Sequence, residues 1–476
     1  KMRYFSAIVL VHLLVMSKKA SSAPCWWGIR ENQQNMCSLT SPASECLQLD
    51  VHMPKIKGGS LPVYAWVRGG SGSYNPGTLV QQGILVVIIS HRFGLEGFLC
   101  SADERIPGNA GLKDIVLALR WIKDNIVAFR GNASHVVVGG QGFGAAMVEA
   151  LTLSTMTYEN LYKGVILQSG SVLSPWAFQY DARALATAIG KEFDGVDPIS
   201  NLINNYPKTL TEKASEKKFS YHSFGICVEK NFRKEERFLI APPYSLLSND
   251  KIEIVDDIPI LMGYNSDEAN IFLPALRTKS VQNRIHVNPL VLLPLELNIT
   301  NLKKEQQNRT LVQLLNLYFK KNSTMSLREL LVYHRDAYFL NHVFRSASLH
   351  AAASTSPVYF YQFSYTPNKV PKNYGPGHAD EMAYLFPNKN KSYNGFDLVV
   401  QKNIVKLWTN FIKYLNPTPD KTMPTWEAME SRRPKMYDIN TKIRMRDFPY
   451  KKQMYFWDEL FLKLYYIDSN QYYGRK

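Results

Sequence analysis

The amino-acid sequence predicts an α/β fold built on a mostly parallel sheet, and three observations carry this prediction. Short runs made only of apolar residues recur along the 476 residues, as is typical of strands that are buried on both faces. A long stretch of helical periodicity separates the first two of these runs. A glycine-rich turn then joins the second run to another apolar helix, and the order strand–helix–strand–helix is typical of α/β domains.

The predicted strands lie at residues 86–89, 136–138, 165–167, 259–262 and 358–361. Residues 109–129 form the predicted helix, because its apolar side chains recur at positions 112, 115, 116, 119, 122 and 126. Pro107 and Gly108 precede this helix and Gly131 follows it, which is typical of helix ends. Residues 276–324 are largely polar, so we expect an exposed insertion there.

Composition excludes several classes of protein and of partner. Hydrophobic residues make up 45% of the chain and charged residues 20%, which excludes collagen-like, low-complexity and wholly disordered chains. The net charge is +16, but the basic residues are scattered and no nucleic-acid-binding signature accompanies them. We therefore expect no nucleic-acid partner, while binding to anionic glycans or membrane surfaces stays open. No Cys/His cluster has zinc spacing, so no metal is expected. We expect no other cofactor either.

The N-terminal region predicts export. Residues 7–16 form an apolar run between Arg3 and Lys18, and small residues follow at 21–23. This pattern is typical of a signal peptide over residues 1–23, which implies a secreted protein. The alternative is a buried helix of a cytosolic protein. The run is too short to span a membrane, and no other window is long and apolar enough, so we expect no transmembrane anchor.

Five N-x-S/T sequons agree with a secreted chain, and they predict glycosylation at Asn132, Asn298, Asn308, Asn322 and Asn390. The five cysteines are Cys25, Cys37, Cys46, Cys100 and Cys227. Because this number is odd, at least one thiol has no partner within the chain.

The glycine-rich turn after the second predicted strand has the outline of a nucleophile elbow. The segment Gly140-Gln141-Gly142-Phe143-Gly144 matches the motif G-x-S-x-G except that Gly142 occupies the serine position. In that motif the strand turns sharply into a helix, and the central residue is held in a strained conformation.

Further segments extend the match along the chain. They are S-E-C-L-Q-L-D-V at 44–51, G-Y-N-S-D-E at 263–268, G-H-A-D-E at 377–381, N-P-T at 416–418 and F-W-D at 456–458. Together they resemble the type-B carboxylesterase/cholinesterase family of the α/β-hydrolase fold, most closely its insect carboxylesterase and juvenile-hormone-esterase branch. The resemblance runs from about residue 37 to about residue 460. It implies a central, mostly parallel, twisted sheet flanked by helices on both faces, in a single domain over residues 24–476 that lacks the family's leading N-terminal sheet.

Two residues of the family's Ser-Glu-His triad have counterparts in this sequence, and the serine has none. The resemblance assigns Glu268 as the acid and His378 as the base, while the nucleophile position is Gly142. Glycine has no side-chain oxygen, so no acyl-serine can form there. We therefore expect Glu268 and His378 to persist as a vestigial pair with a structural role. The alternative is that this pair activates water.

The oxyanion loop also departs from the family pattern. Residues 66–72 resemble this loop, with Arg68 in place of its histidine and Ser71 in place of its third glycine. The resemblance implies that the backbone N–H groups of Gly70, Ser71 and Phe143 are the oxyanion donors. The Cβ of Ser71 is expected to distort the loop. Ser71 could also be considered as a replacement nucleophile, but such a loop presents backbone rather than side chains, which disfavours that role.

The resemblance pairs Cys37 with Cys46 as the family's first disulfide. Cys25–Cys46 is the alternative, because spacing alone does not fix connectivity. The resemblance assigns no partner to Cys100 or Cys227.

Three functional hypotheses follow. The first is a secreted, catalytically inactive esterase-like protein that binds a small apolar, ester-like ligand or an extracellular protein partner, since the family includes inactive adhesion-type members. The second is a carboxylic ester hydrolase with weak residual activity. The third is a truncated or wrongly joined gene product. None of the three predicts an oligomeric state.

Overall fold

A ten-stranded sheet forms the centre of the fold. The computed structural model describes residues 27–28, 47–55, 58–70, 72, 74–158, 160–193, 195, 197–204, 224–232, 236–248, 257–294, 302–320, 325–367, 374–387 and 393–472. The strands are β1 Trp27–Gly28, β2 Leu47–His52, β3 Leu61–Val67, β4 Leu85–Ile89, β5 Gly131–Gln141, β6 Gly164–Gln168, β7 Ile260–Asn265, β8 Val358–Phe363, β9 Lys435–Ile439 and β10 Arg444–Asp447. All five predicted strands are confirmed, as β4 to β8.

The strands lie in the order β1-β2-β4-β3-β5-β6-β7-β8-β9-β10. Only the pairs β2–β4 and β9–β10 are antiparallel, and the other neighbours are parallel. The carboxyl ends of β5, β6, β7 and β8 therefore meet at one edge of the sheet. In an open parallel sheet this is the edge where ligand sites form.

Helices connect most of these strands. In chain order they are α1 Gly77–Val80, α2 Gly94–Phe98, α3 Ala110–Asn125, α4 Phe143–Leu151, α5 Ala182–Gly190, α6 Pro198–Asn204, α7 Pro243–Ser248, α8 Leu273–Leu276, α9 Lys279–Val287, α10 Lys304–Tyr318, α11 Leu327–Arg335, α12 Asn341–Ala353, α13 Met382–Leu385, α14 Gly395–Tyr414 and α15 Lys451–Tyr472. Short 3₁₀ turns span Ile126–Phe129, Thr155–Thr157, Glu268–Phe272 and Pro289–Leu292. A π turn spans Asp336–Leu340.

Two hydrophobic cores cover the two faces of the sheet. Along β3, Val63 and Ala65 face the core that contains α3, α4 and α12, while Tyr64 and Trp66 face the core that contains α1 and α14. Both sets are buried, because successive side chains of a strand point to opposite faces. This two-sided burial explains the wholly apolar runs, and it confirms the predicted α/β class with helices on both faces.

Two predictions about helices are refined by the structure. The predicted helix 109–129 is α3 followed by the 3₁₀ turn Ile126–Phe129. The predicted exposed insertion at 276–324 is helical where the structure describes it, and Ile285, Leu292 and Leu314 are buried. The polar composition of this region thus reflects helices that expose one face and bury the other.

A disulfide joins Cys100 to Cys227 across 127 residues of sequence. Gly108 packs against it with φ +107°, and a Cβ on Gly108 would lie 2.6 Å and 2.7 Å from the two sulfur atoms. Beside the bridge, the Asn109 side chain accepts from the Cys227 backbone N–H and donates to the Cys227 carbonyl oxygen, at 3.0 Å and 2.8 Å. The sequence assigned neither cysteine a partner. The predicted pair Cys37–Cys46 and its alternative Cys25–Cys46 lie outside the described residues.

The variant Cys100→Ser/Cys227→Ser is expected to unfold at lower urea concentration. A bridge that closes so long a loop restricts the unfolded chain, and its loss costs about 2–4 kcal/mol. Urea denaturation followed by circular dichroism measures the change. Dithiothreitol serves as the control, since it should lower the wild-type midpoint by more than that of the variant, in which only the predicted Cys37–Cys46 bridge remains to be reduced. Equal midpoints for the oxidised wild type and the variant would contradict the prediction.

Candidate functional site

Gly142 forms the turn between β5 and α4 at the carboxyl edge of the sheet. Its backbone has φ 59° and ψ −122°, its N–H donates to the carbonyl oxygen of Gln168 at 2.8 Å, and its carbonyl accepts from the N–H of Ala146 at 3.2 Å. Such a conformation costs a non-glycine residue about 1–3 kcal/mol, whereas glycine adopts it freely. The strand–turn–helix context that defines a nucleophile elbow is therefore present around a residue without a side chain.

Glu268 and His378 form a hydrogen-bonded pair next to this turn. Glu268 follows β7, His378 follows β8, and Glu268 Oε2 lies 2.6 Å from His378 Nδ1. The Glu268 side chain is fully buried and that of His378 is 16% exposed. The second carboxylate oxygen, Oε1, accepts from the backbone N–H of Asn265 at 2.6 Å. The carboxylate thus has a partner on each oxygen and fixes the orientation of the imidazole ring.

The other ring nitrogen of His378 faces Gly142. A Cβ built on Gly142 would lie 2.9 Å from His378 Nε2 and 3.4 Å from Cε1. The structure therefore brings together the three positions that the sequence singled out. The ring also lies so close to the glycine that a side chain at position 142 would have to displace it.

Gln141 supplies the partner of His378 Nε2. Its side chain is nearly buried, and its amide nitrogen lies 3.0 Å from Nε2. The sequence placed Gln141 in the elbow motif but gave it no contact. A hydrogen bond between residues that lie 237 positions apart in the chain leaves no local signal that could have predicted it.

A second buried carboxyl group, Glu381, lies behind the pair. Its Oε1 accepts from Gln168 Nε2 at 3.0 Å, and its Oε2 accepts from Asn265 Nδ2 at 2.6 Å. Trp408 Nε1 in turn donates to Gln168 Oε1 at 3.0 Å. Asn265 therefore contacts both carboxyl groups, Glu268 through its backbone and Glu381 through its side chain. The sequence placed Glu381 at the end of the G-H-A-D-E segment at 377–381 without assigning it a role.

The charges of this cluster shift two pKa values. Burial and the neighbouring charge of Glu268 raise the pKa of Glu381 to about 7. Burial by itself would lower the pKa of His378, but the bonded carboxylate of Glu268 and the nearby Glu381 and Asp380 raise it above its usual value. Shifts of this kind cluster at functional sites, although structural ion pairs also produce them.

The predicted oxyanion loop lies against the elbow. A Cβ on Gly69 would lie 2.2 Å from the carbonyl oxygen of Gln141, and Gly70 has open space around its Cβ position. Phe143 begins α4 and packs its ring edge-on against Phe98 at 5.0 Å. Ser71 lies outside the described residues, so the expected distortion of the loop stays a prediction.

Phe339 and Trp176 lie next to His378, and we call these two side chains the aromatic wall. The ring centroid of Phe339 lies 5.0 Å from that of the imidazole, and the ring centroid of Trp176 lies 5.7 Å from that of Phe339. Trp176 Nε1 donates to the carbonyl oxygen of Tyr338 at 2.8 Å. The π turn Asp336–Leu340 carries both Tyr338 and Phe339, and such turns are frequent at functional sites. Trp176 also lines a cavity of about 230 Å³ together with Pro175, Phe178, Gln179, Asp181, Leu185 and Gly225.

The remaining predicted positions do not belong to this cluster or lie outside the described residues. Asn132 is half-buried at the start of β5, and its Oδ1 accepts from the Ser134 N–H at 3.0 Å. Asn308 is exposed on α10, whereas Asn298, Asn322 and Asn390 are not among the described residues. Within the described ranges, no group of three or more His, Cys, Asp or Glu side chains is arranged to hold a metal ion. Across the same ranges, no helix is long and apolar enough to cross a membrane.

Comparison with known proteins shows what the chain is similar to. The model of the carboxylesterase family matches residues 15–457. Juvenile hormone esterase from Tribolium castaneum is 25% identical over 443 residues, which cover 84% of this chain and 75% of the relative. Neuroligin-3 from Mus musculus is 26% identical over 520 residues, covering 91% of this chain and 59% of the relative. The crystal structure of juvenile hormone esterase from Manduca sexta, with OTFP covalently attached, superposes with a TM-score of 0.76 at 24% identity, covering 88% of this chain and 84% of that chain.

Removing the charge of Glu381 is expected to change the pH dependence of stability. The pKa of this carboxyl group is about 7 in the folded protein and about 4.3 in an unfolded chain. Its contribution to stability is therefore fully present below about pH 4.3, falls as the pH rises, and is lost above about pH 7. Between pH 5 and pH 8, Glu381→Gln should gain about 2–3 kcal/mol relative to the wild type.

Urea denaturation at the two pH values measures this relative gain. The matched control is Glu427→Gln, because Glu427 is an exposed carboxylate that pairs with Lys435 on the surface. The control should follow the wild type at both pH values. The same result for Glu381→Gln, with a constant difference from the wild type across this pH range, would contradict the assigned pKa.

Proposed function

The chain belongs to the carboxylesterase family, and from this premise we propose that it is a secreted, catalytically inactive member that binds a small apolar, ester-like ligand without cleaving it. The proposal of secretion draws on the apolar N-terminal run and on the sequons. A binding role without catalysis has a parallel in the similarity to neuroligin-3. That similarity also makes an extracellular protein partner the alternative occupant.

The residue at the elbow carries the proposal. Acyl transfer in a triad hydrolase needs a nucleophilic oxygen within about 3 Å of the base. Gly142 occupies that place, and the position of its missing Cβ is 2.9 Å from His378 Nε2. The elbow therefore offers the base no side-chain oxygen from which to take a proton.

The surroundings of His378 support binding of an apolar molecule. The rings of Phe339 and Trp176 lie in succession next to the imidazole, and the partly exposed Trp176 also lines the cavity of about 230 Å³. Aromatic rings next to a few fixed polar groups are typical of sites for small, largely apolar ligands. The partly exposed His378 is the polar group at the end of these rings.

Weak ester hydrolysis is the second candidate function, because the Glu268–His378 hydrogen bond is intact at 2.6 Å. Such a pair could activate a water molecule directly. Loss of the serine from a triad hydrolase costs about 10⁶-fold in kcat and leaves about 10³–10⁴-fold over water. The two candidates therefore differ in whether a bound ester is recovered intact.

The test uses two probes, p-nitrophenyl butyrate for turnover and a neutral methyl ester of a medium-chain fatty acid for binding. We expect no turnover above that of a Glu268→Gln/His378→Ala variant and no covalent labelling by an organophosphate. We expect the methyl ester to bind in calorimetric titration and to be recovered uncleaved. Turnover or labelling above the control would overturn the proposed inactivity.

Binding should depend on the aromatic wall. Phe339→Ala should weaken the affinity for the methyl ester by at least fivefold, because it removes the ring that packs against His378. Phe396→Ala is the matched control, since this phenylalanine is exposed on α14, and it should bind as the wild type does. Equal affinities for the two variants would argue against the proposed ligand site.

Restoring the serine alone is expected to restore little activity. In Gly142→Ser the new Cβ would collide with His378, and a residue other than glycine must adopt φ +59°. We expect turnover of p-nitrophenyl butyrate to stay within tenfold of the wild-type background. Circular dichroism checks that the variant is folded. Esterase activity at the level of a working family member would show that the ring is free to move aside.

A further inference from the structure

We propose that the amide of Gln141 has taken over the hydrogen bond that a nucleophile would make to His378, and that it holds the imidazole in a single neutral tautomer. This inference deepens the proposed function and rests on it, because it concerns a site that does not carry out catalysis. It assigns Gln141 as a positioning residue for His378.

The geometry places one partner on each nitrogen of the imidazole. Gln141 is the last residue of β5, directly before the elbow glycine, and its amide nitrogen lies 3.0 Å from Nε2. On the opposite side of the ring, Glu268 Oε2 lies 2.6 Å from Nδ1. Both partners are buried, so water competes poorly for either bond.

These two partners require the same tautomer. An amide nitrogen only donates hydrogen bonds, so Nε2 must carry the lone pair. An ionised carboxylate only accepts them, so Nδ1 must carry the proton. A neutral imidazole with its proton on Nδ1 and its lone pair on Nε2 meets both requirements. The Gln141 amide is then oriented with its nitrogen, and not its oxygen, toward Nε2.

The hydrogen bond from Gln141 prevents His378 from acting as a general base, in addition to fixing its orientation. A general base must direct its lone pair at the proton that it removes, at hydrogen-bond distance. In His378 that lone pair already accepts from Gln141. Water activation by the Glu268–His378 pair therefore requires the Gln141 amide to leave first.

Protonation of the ring should reverse the role of the amide. Imidazolium donates from both nitrogens, so Gln141 would have to rotate and present its carbonyl oxygen to Nε2. The charged groups that favour the protonated ring are Glu268, Glu381 and Asp380. The tautomer is therefore best observed at a pH well above the range in which His378 titrates.

Gln141→Leu tests the proposal, because leucine has a similar size and cannot donate a hydrogen bond. The first measurement is the rate at which diethylpyrocarbonate modifies His378, since this reagent attacks the unprotonated nitrogen lone pair. Peptide mass spectrometry separates His378 from the other histidines. We expect slow modification in the wild type and at least a fivefold faster reaction in Gln141→Leu.

Gln401→Leu is the matched control. The amide of Gln401 donates to the carbonyl oxygen of Tyr384 at 3.2 Å, so its removal should leave the rate at His378 unchanged. A similar acceleration in both variants would indicate general loosening and would overturn the proposal. Equal rates in the wild type and Gln141→Leu would overturn it as well.

Nitrogen NMR of histidine-labelled protein gives an independent readout at high pH. We expect a protonated Nδ1 and an unprotonated Nε2 in the wild type, with the Nε2 resonance moving toward that of a free lone pair in Gln141→Leu. A proton on Nε2 would overturn the proposal. The ester turnover assay remains separate, because turnover by the wild type would refute inactivity without changing the measured tautomer.

Discussion

The hydrogen bond between Glu268 and His378 is the contact around which the polar centre of the molecule is arranged. It joins the segments that follow β7 and β8, which are parallel neighbours in the sheet. Glu268 is fully buried, and removing one partner of a buried pair leaves an uncompensated charge, which costs about 3–5 kcal/mol. The backbone of Asn265 bonds one member of this pair and the amide of Gln141 bonds the other.

The sequence was sufficient to predict the framework and the three central positions. The apolar runs predicted β4 to β8 because a strand that is buried on both faces carries apolar side chains at successive positions. The segments around Gly142, Glu268 and His378 carried enough of the family pattern to place each residue. The bridge between Cys100 and Cys227 and the contact between Gln141 and His378 were not predictable in this way, because each joins residues that are remote in sequence. Local periodicity carries no information about which distant side chains meet.

The site combines a relaxed backbone at the elbow with two buried carboxyl groups whose oxygens all have hydrogen-bond donors. Glycine at the elbow avoids the backbone strain that another residue would store there. Both oxygens of Glu268 and both oxygens of Glu381 have donors, and hydrogen bonds in such a buried cluster are stronger than they are in water. A cluster that resembles catalytic machinery can therefore persist as part of the structural core. This is the physical reason why an intact acid–base pair is weak evidence for turnover.

The bridge between Cys100 and Cys227 closes a loop of the chain that contains some residues of the site and excludes others. The residues between the two cysteines form a covalently closed ring that contains α3, β5, α4 and β6, and with them Gln141 and Gly142. Glu268 and His378 lie on the chain outside this ring. The hydrogen bond from Gln141 to His378 is therefore a contact between the ring and the remainder of the chain. A single backbone cut within the ring would leave both sides of the site covalently attached to one another, with the elbow and its histidine still on one molecule.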